Sequence, residues 1–267
     1  KVTPEIAAIR GVPVGRDCLS PPRHSAFGDV DGLIDFVETL AEATGLPVGI
    51  KSAVGEQHFW DDLADRMSTR GAGPDFVTVD GGEGGTGAAP YVFADHVALP
   101  FRAAFPRVYR TFAERGLHEG LVFVGSGKLG LPESALLAMG LGCDMVNVGR
   151  EAMLSIGCIQ AQRCHTGRCP TGVATQSSWL TGGLDPDLKS VRSTAYLVAL
   201  RSEVARLAGV CGRSHPGLVD LDCFELVDHG RHAVPARQVF GYEPGWGLPS
   251  PADQATLSTL QEAVDVP

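Results

Sequence analysis

Residues 121–149 read LVFVGSGKLGLPESALLAMGLGCDMVNVG, and this stretch decides the fold class. An apolar run, Leu121–Gly125, is followed by a glycine turn, by the helical spacing of Leu131–Leu141 and by a second apolar run, Met145–Gly149. A proline and a glutamate lie in the first turn of the predicted helix, where both residue types are favoured. A strand, a helix and a second strand in this order predict a parallel βαβ unit.

The same alternation extends toward the N-terminus. Two further apolar runs, Leu46–Lys51 and Asp75–Asp80, predict buried strands. Apolar residues at helical spacing predict helices at Val30–Ala43 and His58–Arg70. Four strands that alternate with helices predict an α/β fold with a parallel sheet, which is either doubly wound or part of a barrel.

The number of strands leads to a specific prediction about the barrel. A complete (β/α)8 TIM barrel needs about 250 residues of strand–helix units. We interpret the four predicted strands as strands 5–8 of such a barrel, so residues 1–210 hold its C-terminal half and strands 1–4 would precede Lys1. A helix is predicted at Asp187–Ala208, and residues 211–267, rich in Pro, Gly and Asp, are predicted to be mostly loop. The alternative is a four-stranded open sheet.

The composition excludes several classes of protein. The chain has 267 residues, 44% of them apolar, and a net charge of −9, which favours a globular core and argues against a nucleic-acid-binding protein. Its apolar runs are shorter than the roughly 18 residues of a membrane span, and Lys1–Ile6 lacks the apolar core of a secretion signal. Seven cysteines at low density do not suggest a disulfide scaffold, so we expect a cytoplasmic protein that uses some cysteines as ligands.

A phosphate-binding site is predicted at the turns after the third and fourth strands. The first turn joins a strand to a helix, where backbone N–H groups and a lysine attract an anion. In a barrel, the loops after strands 7 and 8 build such a site together, so the second turn would complete it. The residues of the two turns are Gly125, Ser126, Gly127, Lys128, Gly149 and Arg150.

The first turn also satisfies G-x-G-x-x-G, the fingerprint of a Rossmann fold. In that interpretation Arg150 or Glu151, at the end of the next strand, would contact the 2′-phosphate or the ribose of a dinucleotide. The chain would then be an NADP-dependent oxidoreductase with a doubly wound sheet and a structural zinc ion.

A glycine-rich loop follows the second predicted strand. Residues 80–90, DGGEGGTGAAP, contain five glycines at the C-terminal end of a strand, where the functional loops of α/β sheets lie. Lys51 ends the preceding strand in the same layer, where a lysine stabilises a reduced flavin at its pyrimidine edge. The alternatives are a flexible surface loop and a solvated lysine. The loop contains Gly84, Gly85, Thr86 and Gly87.

The most specific pattern is Cys158-x5-Cys164-x4-Cys169-Pro, within residues 155–176. Three thiolates within twelve residues suit a soft metal ion or an iron–sulfur cluster. A fourth cysteine at a regular spacing is absent, so the pattern allows a three-cysteine cluster or a Cys3His zinc site completed by His165. The alternative is three cysteines that are merely close in sequence.

Taken together, these motifs resemble the FMN-binding domain of the glutamate synthase family. The resemblance is carried by residues 84–88 (GGTGA), by the glycine turns after the last two strands and by residues 157–176 (GCIQAQRCHTGRCPTGVATQ). It extends from Lys1 to about Ala208 and is closer to the stand-alone branch without a glutaminase domain than to the large multidomain enzyme.

The resemblance implies an FMN-binding barrel next to a [3Fe–4S] cluster. It makes the three cysteines the cluster ligands and places the FMN phosphate at the two glycine turns. It implies that Lys51 faces the flavin or the keto acid, and that the glycine-rich loop lies near the flavin ring.

The resemblance also implies a reaction. Electrons from an electron-donor protein or an NADPH-linked subunit pass through the cluster to FMN, and the reduced flavin delivers hydride to 2-iminoglutarate, formed from 2-oxoglutarate and ammonia, to give glutamate. A related imino or amino acid is the alternative substrate. Because a half-barrel has open sheet edges, we expect self-association or pairing with the missing half. A third hypothesis is a non-catalytic partial barrel that needs a partner chain.

Overall fold

The computed structural model describes residues 2–18, 21, 23–84, 92, 95–227, 230 and 232–262. Within these ranges the helices are α1 (Pro4–Arg10), α2 (Val30–Thr44), α3 (His58–Arg70), α4 (Phe101–Ala113), α5 (Pro132–Gly140), α6 (Arg150–Ser155), α7 (Ser178–Thr181), α8 (Pro186–Val210), α9 (Ala236–Phe240) and α10 (Pro251–Glu262). The strands are β1 (Gly49–Ala53), β2 (Phe76–Asp80), β3 (Val122–Ser126), β4 (Met145–Asn147), β5 (Glu225–Val227) and β6 (Ala233–Pro235).

The first four strands form one parallel sheet, and their order in the sheet is β1-β2-β3-β4. This order follows the chain without a reversal, whereas a doubly wound sheet reverses its strand order at a switch point. The α/β fold and the parallel sheet are therefore confirmed, and the sheet is consistent with a partial barrel. The strand order does not support the Rossmann interpretation.

One face of the sheet is covered by helices. Val77 and Val79 of β2 and Phe123 of β3 are fully buried on this face. They pack in one core with aromatic side chains of the helices, among them Trp60 and Phe105. Helix α2 contacts α3, α3 contacts α4, and α4 contacts β2 and β3, so the three helices form a layer against the sheet. Burying these side chains is the main source of stability for this layer.

The other face of the sheet carries rows of side chains that follow from the strand register. Because side chains alternate along a strand, partners across the parallel strands point to the same side. One row contains Lys51, Thr78, Val124 and Met145. The next row, at the C-terminal ends of the strands, contains Ala53, Asp80, Ser126 and Asn147. This open face is only partly accessible: Met145 is 54% exposed, whereas Thr78 and Val124 are buried.

The first strand lies at Gly49–Ala53 rather than at the predicted Leu46–Lys51, so Lys51 lies in the middle of the strand and not at its end. Pro47 has no N–H group for a ladder hydrogen bond. The N–H of Val48 donates instead to the carboxylate of Asp75, at 2.7 Å. Leu46 consequently lies outside the sheet and is 65% exposed.

Helix α4 is not predicted by the sequence pattern, because it begins after Pro100 without a side-chain cap and contains Pro106. A proline inside a helix removes a hydrogen bond and normally argues against a helical assignment. Phe105, Val108 and Phe112 nevertheless bury one face of α4 completely. Tertiary packing therefore outweighs the local cost of the proline.

The C-terminal region contains more regular structure than its composition predicts. The hairpin β5–β6 and helices α9 and α10 lie within residues 211–267. Tyr242 is buried in the main core, and its hydroxyl donates a 2.8 Å hydrogen bond to the carbonyl oxygen of Leu141. The N–H of Gly247 donates to the buried hydroxyl oxygen of Tyr109, at 2.9 Å. The C-terminal region is thus packed onto the sheet domain. No helix in the described ranges is both long and apolar enough to cross a membrane.

Candidate functional site

The C-terminal ends of three neighbouring strands are joined by polar side chains on the open face of the sheet. The Nζ atom of Lys51 lies 3.0 Å from Oδ2 of Asp80. The hydroxyl of Ser126 donates a 2.8 Å hydrogen bond to Oδ1 of the same carboxylate. Since the Lys51 side chain is 55% exposed, this ion pair adds little stability. The ion pair instead orients the lysine, because Asp80 holds the Lys51 ammonium group near the C-terminal ends of the strands.

Lys128 and Arg150 lie close together after β3 and β4, as the barrel interpretation predicts. Both contact one carboxylate: Oδ1 of Asp95 lies 3.3 Å from Nζ of Lys128 and 3.0 Å from a terminal nitrogen of Arg150. The same Arg150 nitrogen donates a 3.0 Å hydrogen bond to the carbonyl oxygen of Glu83. The two predicted phosphate-binding cations therefore belong to one site.

The two cations lower the pKa of the Asp95 carboxylate. Its partial burial raises the pKa, but hydrogen bonds and charge interactions with Arg150 and Lys128 lower the pKa by more. The net effect is a pKa below the ordinary value for aspartate, so Asp95 is ionised at neutral pH. The site carries two positive charges and one negative charge.

Backbone donors lie beside the cations. Among the described residues, the N–H groups of Gly127, Lys128 and Gly149 have no hydrogen-bond acceptor. A Cβ atom added at Gly149 would meet nothing within 4 Å, so there is open space next to Arg150. Two cations, free N–H donors and open space fit a phosphate group.

Two residues of the predicted phosphate turn have additional roles. The hydroxyl of Ser126 donates a hydrogen bond to Asp80. The backbone carbonyl oxygen of Ser126 accepts a 2.7 Å hydrogen bond from the N–H of Gly81. A Cβ atom on Gly125 would lie 2.8 Å from Sγ of Cys143. Glycine at this position therefore allows the helix-covered face to pack tightly. Direct contact of either residue with a phosphate stays a prediction.

The glycine-rich loop is described only at its start. Gly84 is described, whereas Gly85, Thr86 and Gly87 lie outside the described residues. The carboxylate of Glu83 accepts a 2.8 Å hydrogen bond from the N–H of Phe101, the first residue of α4. Because Arg150 binds the Glu83 carbonyl oxygen, the start of this loop is tied to the two-cation site.

Cys169 lies in an environment that favours its thiolate form. Burial raises the pKa of the thiol, but the Thr171 hydroxyl and the N–H groups of Ala174, Thr171 and Val173 lower the pKa to about 7. The sulfur lies 3.4 Å from Oγ1 of Thr171. N–H groups directed at a thiolate are the donors that surround the sulfur ligands of iron–sulfur clusters. The environment of this cysteine fits a role as a cluster ligand.

The other two cysteines of the pattern are half-buried. The sulfur of Cys158 accepts a 3.4 Å hydrogen bond from the N–H of Gln160, and the backbone of Cys158 is linked to the end of α6 through Met153. Cys164 begins a short 3-10 turn. In the described part of the chain, no three Cys, His, Asp or Glu side chains are grouped closely enough to hold a metal ion. The assignment of the three cysteines, or of His165, as ligands therefore stays a prediction.

Three acidic residues contribute to the site without having been predicted as part of it. Asp80 has a sequence signal, because it ends a strand in register with Ser126 and lies on the same face of the sheet as Lys51. Glu83 and Asp95 lie in a stretch without strand or helix periodicity, so neither pattern nor spacing relates them to Arg150. Only the three-dimensional structure brings these side chains to the two cations.

Comparison with known proteins extends the resemblance seen in the motifs. Residues 1–214 match the family described as the conserved region in glutamate synthase. The chain is 40% identical over 216 residues to the glutamate synthase large subunit-like protein YerD of Bacillus subtilis. It is 36% identical over 212 residues to the archaeal glutamate synthase (NADPH) of Methanocaldococcus jannaschii. It is 35% identical over 214 residues to the archaeal-type glutamate synthase (NADPH) of Thermotoga neapolitana.

These similarities cover 79–81% of the chain, but the chain spans only about 41% of the length of each of these relatives. The matched region includes the four parallel strands, the two-cation site and the cysteine segment. The resemblance inferred from the motifs is therefore confirmed. This chain belongs to the glutamate synthase family.

Proposed function

We propose that this chain forms the C-terminal half of an FMN-binding barrel in a glutamate synthase-type oxidoreductase. The proposed reaction reduces 2-iminoglutarate, formed from 2-oxoglutarate and ammonia, to glutamate. One observation carries the proposal: Lys128 and Arg150 converge beside free backbone N–H groups at the C-terminal ends of β3 and β4. This is the location of the phosphate site in (β/α)8 barrels.

In this proposal the two cations and the N–H groups of Gly127, Lys128 and Gly149 bind the phosphate of FMN. The guanidinium of Arg150 is planar and presents several donors, so it suits the tetrahedral array of phosphate oxygens. Lys128 adds a point charge from the neighbouring loop. Together they fix one end of the cofactor above the open face of the sheet.

Lys51 is the proposed catalytic residue. It lies on the open face, and Asp80 holds its ammonium group, with Ser126 bound to the other carboxylate oxygen. In this orientation the ammonium would bind the pyrimidine edge of the flavin or a carboxylate of the substrate. FMN, when bound, supplies hydride transfer, and a [3Fe–4S] cluster supplies single-electron transfer.

The three cysteines are the proposed ligands of the cluster. Support comes from the environment of Cys169, whose sulfur is surrounded by N–H and hydroxyl donors, and from the short connection between Arg150 and Cys158 through α6. We propose an electron-donor protein or an NADPH-linked subunit as the source of electrons. This part of the proposal rests on family membership.

The open face of the sheet is proposed to be covered by a second half-barrel. Met145 is 54% exposed and Val122 is 39% exposed on this face. In a closed barrel these positions are filled by layers of side chains from all strands. The second half is either a further part of the same protein or a second chain.

The proposed function is tested with anaerobically prepared protein. We expect flavin absorbance in the visible spectrum and bound iron and sulfide by elemental analysis. Cys169→Ser should lose iron and sulfide, whereas Cys211→Ser, which changes a cysteine outside the pattern, should retain them. Protein that contains neither flavin nor iron, even after reconstitution with FMN, iron and sulfide, would contradict the proposal.

A further inference from the structure

We propose that the carboxylate of Asp95 is a built-in competitor for the phosphate site. It occupies the position between Lys128 and Arg150 that a ligand phosphate would take, so that Asp95 sets the affinity of the site for phosphate-bearing ligands. This inference rests on the proposed function for the identity of the natural ligand, FMN.

A single oxygen atom, Oδ1 of Asp95, contacts both cations, at 3.3 Å from Lys128 and 3.0 Å from Arg150. A phosphate that contacts both cations would place its oxygens in the same space between them. The carboxylate and a phosphate therefore exclude each other, because two anionic oxygens cannot share this position without strong repulsion.

The carboxylate of Asp95 satisfies the two cations incompletely. Its other oxygen, Oδ2, lies 3.5 Å from the second terminal nitrogen of Arg150, which is long for a charge-assisted hydrogen bond. The pairing is therefore not a well-formed bidentate one. A phosphate has more acceptor oxygens and a charge of about −1.5 to −2 at neutral pH, so it can satisfy more of these donors. Asp95 is a weaker anion for the site than the proposed ligand.

The segment that carries Asp95 is joined to the sheet domain at Leu99. Asp95 and Ala98 both adopt positive φ angles, 68° and 75°, in the left-handed region that non-glycine residues seldom occupy. The backbone is anchored again at Leu99, whose N–H donates to Val54 and whose carbonyl oxygen accepts from Gly82. Asp95 takes no part in these anchoring hydrogen bonds, so its carboxylate can leave the two cations without breaking them.

The experiment measures binding of inorganic phosphate and of FMN to the full 267-residue chain by isothermal titration calorimetry. The test variant is Asp95→Asn, which removes the charge while it retains the size of the side chain. The matched control is Asp222→Asn, which removes the same charge from an exposed ion pair with Arg237. Circular dichroism confirms that each variant is folded.

We expect Asp95→Asn to bind inorganic phosphate about tenfold more tightly than the unsubstituted chain, which corresponds to the loss of one charge-assisted contact. Asp222→Asn should leave the affinity unchanged. In the double variant Asp95→Asn/Lys128→Ala the gain should disappear. A second variant, Asp95→Ala, should also bind phosphate more tightly. It replaces Asp95→Asn as the test if the new asparagine amide forms hydrogen bonds of its own in the site.

Equal or weaker phosphate binding by both Asp95 variants would overturn the inference and would make Asp95 a residue that orients the cations. Absence of phosphate binding by every variant would overturn it too. Tighter phosphate binding without FMN binding would support the inference while contradicting the proposed function. The two failures are therefore distinguishable.

Discussion

Gly127 is the residue of the phosphate turn at which the backbone most clearly requires glycine. Its φ angle is +136°, and a Cβ atom would lie 3.2 Å from Cα of Gly81 and 3.2 Å from Cβ of Phe101. The turn therefore brings the loops after β2 and β3 into direct contact. This contact keeps Lys128 close to the loop that carries Glu83.

Substitution of Gly127 by alanine should destabilise the protein by about 1–3 kcal/mol, because the positive φ angle and the close contact both disfavour a side chain. The free energy of unfolding is measured by urea denaturation. The control is Gly55→Ala, since a Cβ atom at Gly55 meets nothing within 4 Å. Equal stability of the two variants would contradict the geometry of this turn.

The lowered pKa of Asp95 should make the stability of the protein depend on pH. Its pKa is lower in the folded protein than the ordinary value of 3.8, so its contribution to stability is present above pH 3.8 and is lost as the pH falls through the folded pKa. Asp95→Asn should therefore be less stable than the unsubstituted chain at pH 7, and the difference should shrink below about pH 4. Urea denaturation at several pH values measures it. A difference that stays constant down to acidic pH would show that Asp95 is not paired with the cations.

Among the elements, the four strands of the parallel sheet and helices α2, α3, α5 and α8 could be predicted from sequence. Helix α3 begins and ends as predicted, at His58 and Arg70, because its apolar spacing is regular and Gly71 ends it. Helix α4 could not be predicted, since its stability comes from burial against β2 and β3 rather than from its local sequence. The residues of the site differ in the same way. Lys128 and Arg150 could be predicted because they follow strand ends, whereas Asp95 could not, because it lies in an irregular segment.

Helix α8 provides a test at the scale of an element. It has 25 residues, and its buried residues, Val204 and Ala208, both lie in its C-terminal half, so burial stabilises its first turns little and the N-cap contributes more there. The carboxylate of Asp185 accepts hydrogen bonds from the N–H groups of Asp187 and Leu188.

Asp185→Ala should lower the free energy of unfolding by about 1 kcal/mol, as expected for the loss of an N-cap. It should also increase hydrogen exchange in the first turns of α8. Ser190→Ala, one turn further along, is the control and should have a smaller effect. If hydrogen exchange in the first turns of α8 is unchanged in Asp185→Ala, the N-cap does not stabilise this end of the helix.

At the scale of the whole molecule, residues 211–267 are joined to the sheet domain through buried aromatic side chains. The rings of Tyr109 and Tyr242 are stacked with centroids 5.2 Å apart, and Trp246 packs on Tyr242. Burial raises the pKa of Tyr109 to about 12, so its hydroxyl is neutral at physiological pH and accepts the hydrogen bond from Gly247. The C-terminal region should therefore unfold together with the sheet.

Tyr109→Phe should destabilise the protein by about 1–3 kcal/mol, because it leaves the buried N–H of Gly247 without an acceptor. Tyr196→Phe removes a hydroxyl that is bound to Gly130 at a partly exposed position and should cost less. Thermal unfolding followed by calorimetry should show one transition for the unsubstituted chain. A separate early transition for the C-terminal region would contradict a common core.

If Lys128 and Arg150 hold the phosphate of FMN, the chain should distinguish FMN from riboflavin, which lacks only the phosphate. Equilibrium binding of the two flavins measures this difference. The unsubstituted chain should prefer FMN, and Lys128→Ala/Arg150→Ala should weaken FMN binding by about 10–100-fold while leaving riboflavin binding unchanged. The control Arg206→Ala, in an exposed ion pair on α8, should bind FMN normally. Equal affinity for FMN and riboflavin in the unsubstituted chain, or FMN binding that survives loss of both cations, would contradict the account.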